Sequence, residues 1–223
     1  MAYILNIETS TTNCSVSLSK EGETLVLKED YSSNYSHAER LHNYVDEVLK
    51  EGNIGVSDLV AIAISKGPGS YTGLRIGVSA AKGLCFAANK PLISVPTLTA
   101  LAHQVTNENG VIVAMLDARR MEVYSAIFDA EYKQIRETQA QIIDQTSFSS
   151  YLEQGKVYFI GNGVLKTKQV INHPNAIFID DKLPSAKEMG MLAYHKHKKS
   201  HIEDVAYFEP YYLKDFIALK PKV

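Results

Sequence analysis

The sequence lacks several features that would assign it to a common class of protein. Among 223 residues there is no tryptophan, and the only cysteines are Cys14 and Cys85, far apart in apolar surroundings. Two such cysteines are typical of reduced core side chains, so neither a disulfide framework nor a cysteine-bound metal is expected. No apolar run reaches the roughly 18 residues of a membrane helix, and the first residues resemble a strand rather than a signal peptide. We therefore expect a cytoplasmic protein without membrane contact.

The chain also has little excess charge of either sign. Its 23 lysines and arginines nearly balance its 25 aspartates and glutamates, which leaves a net charge of -2. A protein that holds nucleic acid by itself usually has a strongly basic surface. If a nucleic acid is the target of this chain, we expect another protein to hold it.

A glycine-rich stretch at residues 67–77 is the most informative feature that is present. The apolar residues 59–64 before it predict a buried strand, and apolar residues spaced by four and three between 74 and 88 predict a helix after it. Such a loop can present backbone N–H groups to an anion. Its glycines can equally be turn formers, and both interpretations stay open. The spacing fits neither a Walker A motif nor a Rossmann fingerprint.

Small residues recur every four positions at the start of that helix. Gly73, Gly77 and Ala81 form a row that lets another backbone approach closely. The row indicates either packing on the chain's own sheet or a helix–helix interface with a partner. A second helix is predicted from a capping box at Ser36 and Glu39 to about Glu51.

The order of the predicted elements occurs twice along the chain. In each half, three strands come first and helices then alternate with strands, with a break in the apolar pattern near residues 107–110. Residues 131–132 are predicted as a strand, and Ser185 is predicted to open the last helix. This order predicts an α/β protein with an N-terminal half, residues 1–106, and a C-terminal half, residues 107–223, each a mixed sheet with flanking helices.

Four motifs resemble the actin and sugar-kinase superfamily, whose two RNase H-like halves flank a nucleotide cleft. They lie at residues 7–10, 67–75, 116–119 and 161–163. The string at 67–77, followed by Asp117-Ala118-Arg119 and by residues 210–213, is more specifically similar to the TsaB (YeaZ) family. This resemblance covers nearly the whole chain and is strongest over residues 1–125.

The resemblance implies an accessory subunit for bacterial synthesis of threonylcarbamoyladenosine in tRNA. In that family the chain is a non-catalytic relative of the transferase TsaD; it forms a heterodimer with TsaD and recruits the ATPase TsaE. It would reach tRNA only through the complex. Whether the chain self-associates stays open in the sequence, although an exposed apolar helix pair would favour a homodimer when the partner is absent. ATP and magnesium would be used by the complex as a whole, with no cofactor held tightly by this chain.

The resemblance also implies an interface built by the helices at residues 36–51 and 71–88. This agrees with the interpretation of the small-residue row as a helix–helix interface with a partner. The candidate interface residues are Leu41, Val45, Val48, Gly73, Leu74, Gly77, Val78 and Ala81.

A free-standing ATP-dependent transferase or kinase of the same superfamily is the alternative. In the superfamily, acids after the first strand of each half hold magnesium, and here these are Glu8 and Asp117. Both can instead accept backbone N–H groups in tight turns, which is the interpretation we favour. The loops that would bind nucleotide, weakly, contain Glu8, Thr9, Ser10, Gly67, Gly69, Asp117, Gly161 and Gly163.

Histidines argue against a metal centre and a peptidase. TsaD-like proteins carry a His-x-x-x-His pair on the helix after the strand equivalent to 91–95, and two such imidazoles share one helical face. Here residues 96–101 contain no histidine, and His103 is alone, so no metal site is expected.

His197 and His201 lie among lysines, which indicates a solvated basic face or a patch that meets RNA or an acidic partner.

Overall fold

The computed structural model describes residues 1–31, 37–106 and 109–214, which form two five-stranded sheets. The N-terminal half contains, in chain order, β1 (Tyr3–Glu8), β2 (Cys14–Lys20), β3 (Glu23–Asp30), α1 (His37–Glu51), β4 (Leu59–Ser65), α2 (Tyr71–Ala88), β5 (Leu92–Val95) and α3 (Thr97–Ala102). The C-terminal half contains β6 (Val111–Asp117), β7 (Glu122–Phe128), β8 (Gln134–Ile142), α4 (Ser149–Leu152), β9 (Val157–Ile160), α5 (Val164–Thr167), β10 (Ala176–Ile179) and α6 (Met189–Lys198).

The two sheets have the same topology, which confirms the predicted duplication and the actin-like fold class. In the first sheet β1, β2 and β3 are antiparallel neighbours, and β4 and β5 lie parallel to β1 on its other side. In the second sheet β6, β7 and β8 are antiparallel, and β9 and β10 extend the sheet parallel to β6. The antiparallel strands follow short turns, whereas the parallel strands need longer crossover connections, as the alternation of helix and strand predicts.

Helices cover both faces of the first sheet. One face packs against α1 and α2, with Leu41 and Val78 in the same apolar cluster as Leu5 and Ile62. The opposite face packs against α6, which contributes Met189 to a second cluster. The central strand β1 is therefore buried along most of its length, as the burial of nearly all its residues indicates.

Two helices cross the predicted division into residues 1–106 and 107–223. Each sheet lies on its own side of that boundary, where residues 107 and 108 are outside the described part of the chain. However, α3 precedes the boundary and packs on the second sheet, where Leu98 and Leu101 meet Ile112. The late helix α6 packs on the first sheet. Sequence order alone does not tell which sheet a helix covers, so the two halves exchange a helix.

Two local predictions differ from the structure. Residues 131–132 form a turn rather than a strand, and Tyr132 adopts a left-handed φ of 61°. Helix α6 begins at Met189 rather than at Ser185, because the Ser185 hydroxyl donates to Glu29 Oε2 at 2.8 Å on the neighbouring sheet. Ser36 of the predicted capping box lies outside the described residues.

None of the helices that the structure describes has the length and hydrophobicity to cross a bilayer.

Candidate functional site

A cleft of about 480 Å³ lies between the two sheets, at the ends of their central strands. The loops after β1 and β4 form one wall, and the turns after β6 and β9 form the other. The segment after α6 closes one side. The residues that line the cleft include Ser10, Thr11, Thr12, Pro68, Gly69, Ser70, Tyr71, Thr72, Asp117, Arg119, Tyr124, Asn162, Tyr211, Tyr212 and Lys214.

The glycines of the β4–α2 loop allow close approach of the chain to itself. Gly67 has a φ of 111°, and a Cβ at this position would lie 2.7 Å from the carbonyl oxygen of Tyr211. A Cβ at Gly69 would overlap Ser10, whose carbonyl oxygen accepts the Ser70 N–H at 2.6 Å. The Ser70 hydroxyl then caps α2 by accepting the Gly73 N–H at 3.2 Å. These contacts account for the glycines as positions of tight packing.

Glu8 is fully buried at the end of β1. Its Oε1 accepts the Ser10 N–H at 2.6 Å, which is the turn interaction that the sequence favours. Its Oε2 has no hydrogen-bond partner among the described residues, and neither does the Ser10 hydroxyl. Burial raises the pKa of Glu8 above its usual value, and the polar groups of Ser10, Ser65 and Thr9 around it oppose this increase only in part.

We expect a Glu8→Gln substitution to stabilise the protein in a pH-dependent manner. A carboxyl whose pKa is raised on folding contributes its full stability below the unfolded pKa and loses it as pH rises through the folded pKa. The glutamine has no such dependence, and its Oε1 can still accept the Ser10 N–H. The advantage of the variant should therefore be small near pH 4.5 and widen by about 1.4 kcal/mol per pH unit between the two pKa values.

Thermal unfolding of both proteins between pH 4.5 and 8 measures this difference. Glu23→Gln, which alters an exposed glutamate on β3, is the matched control and should give a difference that does not change with pH. A constant difference for Glu8→Gln as well would contradict the effect of burial on this carboxyl.

Asp117, the corresponding acid of the C-terminal half, is paired with a cation of the chain itself. Its Oδ1 accepts the Arg119 N–H at 2.8 Å and the ammonium of Lys166. Lys166 is only 14% exposed and also donates to the carbonyl oxygens of Arg120 at 2.7 Å and Glu122 at 2.8 Å. This lysine therefore neutralises Asp117 and ties α5 to the turn after β6.

The structure separates the eight residues of the predicted nucleotide loops into two groups. Only Ser10, Gly69 and Asp117 line the cleft. The others serve packing. Thr9 Oγ1 donates to the Gly73 carbonyl at 2.8 Å, and a Cβ added at Gly161 or Gly163 would lie too close to Met115. Glu8 and Gly67 lie behind the wall as described above. Of the eight predicted residues, three therefore face the cleft and five support its wall.

A segment at residues 203–214, named here the C-terminal strap, runs along α2 into the cleft. It begins beside β5, where the Glu203 N–H donates to Leu92, and it passes Lys82, whose ammonium donates to two carbonyl oxygens of the strap at 3.0 Å. In the cleft the strap touches both halves through three contacts: Tyr211 N–H to Lys66 O at 2.7 Å, the Tyr212 ring 5.0 Å from the Tyr71 ring, and the Lys214 ammonium on Glu122.

The predicted interface residues face the chain's own core, which is a correction to the sequence analysis. All eight are buried: Leu41, Val45, Val48, Gly73, Leu74, Gly77, Val78 and Ala81. A Cβ at Gly73 would overlap the Thr9 carbonyl, and one at Gly77 would overlap the Thr9 hydroxyl. The small-residue row therefore packs against the β1–β2 loop, and these eight side chains are not available to a partner in this fold.

The opposite side of the same two helices is open. A groove of about 630 Å³ runs between α1 and α2, and we name it the α1–α2 groove. Half-buried apolar side chains form its floor, and a Cβ at Gly83 would meet no heavy atom within 4 Å. It is lined by His37, Ala38, His42, Arg75, Ile76, Ser79, Ala80, Gly83 and Leu84.

His103 packs within the chain's own structure, whereas His42, His195 and His201 are exposed. His103 Nδ1 lies 2.9 Å from the Thr99 carbonyl oxygen, and its ring stacks on Tyr132 at 4.3 Å. His201 lies beyond the end of α6, so it does not share a helical face with His197. Over residues 1–31, 37–106 and 109–214, no three His, Cys, Asp or Glu side chains come together as a metal centre requires.

Three parts of the cleft were not predicted: Lys166, Asn162 and the C-terminal strap. Asn162 Oδ1 accepts the Asp117 N–H at 2.8 Å, although 45 residues separate them. Neither contact with Asp117 has a local sequence pattern, since each depends on how α5 is placed against β6. The motif at residues 210–213 and the run of aromatic residues at 207–212 were the sequence features that could have indicated the strap.

The chain is similar to known proteins over almost all of its length. The family model described as TsaD, tRNA N6-adenosine threonylcarbamoyltransferase, matches residues 31–222. The TsaB protein of Haemophilus influenzae, described as a tRNA threonylcarbamoyladenosine biosynthesis protein, is 32% identical over 97% of this chain and 95% of its own. The chain belongs to the TsaB (YeaZ) family.

Further relatives agree with this assignment. The Escherichia coli TsaB protein is 30% identical over 97% of this chain and 96% of its own length. The structure of YeaZ from Pseudomonas aeruginosa superposes with a TM-score of 0.84 at 27% identity, covering 96% of this chain and all of that one. The TsaB-type resemblance seen in the sequence therefore extends to both sheets and to the exchanged helices between them.

Proposed function

We propose that this chain is a cytoplasmic accessory subunit for the synthesis of threonylcarbamoyladenosine in tRNA. Its TsaB relatives from Haemophilus influenzae and Escherichia coli are described as tRNA threonylcarbamoyladenosine biosynthesis proteins. In the proposed complex the chain pairs with a TsaD-type transferase subunit, supports recruitment of a TsaE-type ATPase, and has no catalytic activity of its own.

The observation that carries the scaffold role is the α1–α2 groove. The groove is the outward-facing side of α1 and α2 and is partly apolar. The inner sides of both helices are already buried against the first sheet. Ile76, Ala80 and Leu84 line it, and small side chains here allow a partner helix to approach closely. The residues assigned to the interface are therefore the outward-facing ones rather than those of the buried row. In the absence of the transferase, the same groove would pair two copies of this chain.

The carboxyl groups at the cleft argue against a nucleotide held tightly by this chain. Magnesium beside phosphates needs free carboxylate oxygens, but Asp117 Oδ1 is already engaged by the Lys166 ammonium and the Arg119 N–H. Burial favours the protonated form of Glu8, which raises its pKa, and its Oε1 is engaged by Ser10. Magnesium and ATP are therefore assigned to the complex as a whole and not to this chain.

A component-omission assay tests the proposal. Transfer of labelled threonylcarbamoyl groups to tRNA is measured in mixtures that lack one protein at a time, with the wild-type chain, Glu8→Gln or Asp117→Asn. We expect product to require the chain and to persist at near wild-type rates with both variants. Product formed without the chain would refute an accessory role.

The same assay separates the scaffold from the alternative of a free-standing ATP-dependent transferase or kinase. The alternative predicts that both acid variants abolish product while the complex still assembles, and that ATP with magnesium gives saturable heat in calorimetry on the isolated chain. A flat titration together with active variants would eliminate it.

A further inference from the structure

The end of α6 carries a dense group of basic side chains that the proposed scaffold role does not use. Residues 195–201, named here the basic turn, contain three lysines, three histidines and one serine. The nearest acidic residue in the sequence on the C-terminal side is Glu203. The chain as a whole has a net charge of -2, so the basic turn is a local concentration of positive charge on a nearly neutral protein.

Most of these side chains are free of the chain's own carboxylates. His195, Lys198, Lys199 and His201 are exposed, and the ion pairs of the described residues include none of them. Lys196 differs, because it is half-buried and donates to the Ser94 carbonyl oxygen at 2.7 Å. This bond anchors α6 to the end of β5 and holds the basic turn in place.

The lysines are not needed to cap the helix. Cations at a helix C-terminus often donate to its last carbonyl groups. Here backbone N–H groups satisfy those carbonyls: Lys199 donates to His195, Ser200 to His197 and His201 to Lys196. The left-handed φ of 54° at Ser200 makes this arrangement possible. The ammonium groups of Lys198 and Lys199 therefore remain available to a ligand.

The position of the basic turn leaves it accessible when the α1–α2 groove is filled. Helix α6 covers the face of the first sheet opposite to α1 and α2. Burial lowers the pKa of Lys196, the nearby charge of Lys66 from the β4–α2 loop lowers it further, and Glu203 opposes this decrease in part. Lys66 thus extends the positive region toward the cleft, and Glu203 borders it. A bound transferase subunit and a second ligand can thus contact the chain at the same time.

We propose that the basic turn binds the phosphate backbone of the tRNA on which the complex acts. This rests on the proposed function, and it differs from the expectation that tRNA is reached only through the partner. Exposed cations without apolar residues between them suit repeated phosphate groups, which are recognised by charge and without base contacts. A protein partner would need several apolar anchors; residues 195–201 contain none, and the exposed Ile202 is a single apolar side chain that directly follows them.

The experiment measures the binding of fluorescently labelled tRNA to the complex of this chain with its TsaD-type subunit at several salt concentrations. The test variant is Lys198→Glu/Lys199→Glu. The control is Lys133→Glu/Lys156→Glu, which changes two exposed lysines of the C-terminal half by the same total charge. We expect the test variant to bind tRNA about tenfold or more weakly and to lower the logarithmic salt slope by about 2, whereas the control changes the affinity less than twofold.

Three outcomes would overturn the proposal. The first is wild-type affinity in the test variant, and the second is an equal loss in the control, which would mean a general charge effect. The third is loss of complex assembly with unchanged tRNA affinity in the complex that remains, which would mark a contact with an acidic protein surface. Failure of the proposed function can be told apart from failure of tRNA binding. In the former case the wild-type chain would not assemble with the TsaD-type subunit, or product would form without it.

Discussion

A Gly83→Arg substitution is expected to abolish pairing with the TsaD-type subunit while leaving the fold of this chain intact. Gly83 lies in the middle of α2 and lines the α1–α2 groove, and a Cβ there has no neighbour within 4 Å. Arginine is also a better helix former than glycine by about 0.5–1 kcal/mol, so the melting temperature should stay constant or rise. The long charged side chain would fill the space that a partner helix needs.

Packed helices lie about 8–10 Å apart, and an arginine between them prevents that approach. We expect the affinity for the TsaD-type subunit to fall about 100-fold or more, measured by calorimetry and size-exclusion chromatography. Gly155→Arg is the matched control, because a Cβ at Gly155 also meets nothing within 4 Å and the residue lies in the C-terminal half. If Gly83→Arg bound within threefold of wild type, the partner would have to dock outside the groove.

A Gly73→Ala substitution is expected to have the opposite character, a large loss of stability. The added Cβ would overlap the carbonyl oxygen of Thr9, and it would lie 3.2 Å from the His37 ring. Thr9 cannot withdraw easily, since its hydroxyl donates to the Gly73 carbonyl at 2.8 Å and its loop connects two central strands. Overpacking of this kind costs about 3 kcal/mol, at the upper end of the usual range.

Denaturant unfolding of Gly73→Ala beside Gly83→Ala measures this difference within one helix. The second substitution meets open space and should stabilise the protein by about 0.5–1 kcal/mol, the ordinary gain of alanine over glycine in a helix. A loss below 1 kcal/mol for Gly73→Ala would mean that the β1–β2 loop moves away without difficulty. Comparison of the two variants therefore distinguishes Gly73, which the fold requires, from Gly83, which the fold only tolerates.

Most secondary elements could be predicted from the sequence because their patterns are local. Residues 59–64 are continuously apolar and form β4, and the four-and-three spacing from Leu74 onward marks the buried face of α2. The duplicated order of elements then gives the two sheets. What the pattern could not supply is the contact between distant segments, such as Lys166 with Asp117 or the C-terminal strap with Lys66.

The interface residues illustrate the same limit in physical terms. Apolar periodicity finds the side of a helix that leaves water, and for Leu41 and Val78 that side faces the chain's own sheet. A partner helix that docks on α1 and α2 would have to use the remaining side, where half-buried Ile76 and Ala80 are less conspicuous in the sequence. Only the packed structure shows which apolar stripe is already covered.

The exchange of α3 and α6 makes the two halves mutually dependent in folding. The face of the first sheet around Ala63 and Ile93 is covered only after the last helix has been synthesised, because α6 supplies Met189 to that cluster. The second sheet in turn borrows Leu98 and Leu101 from a helix made before its own first strand. Each half therefore has one apolar cluster that a helix from the other half completes. The chain is expected to behave as one cooperative unit, and a cut between its sheets would leave two incomplete pieces.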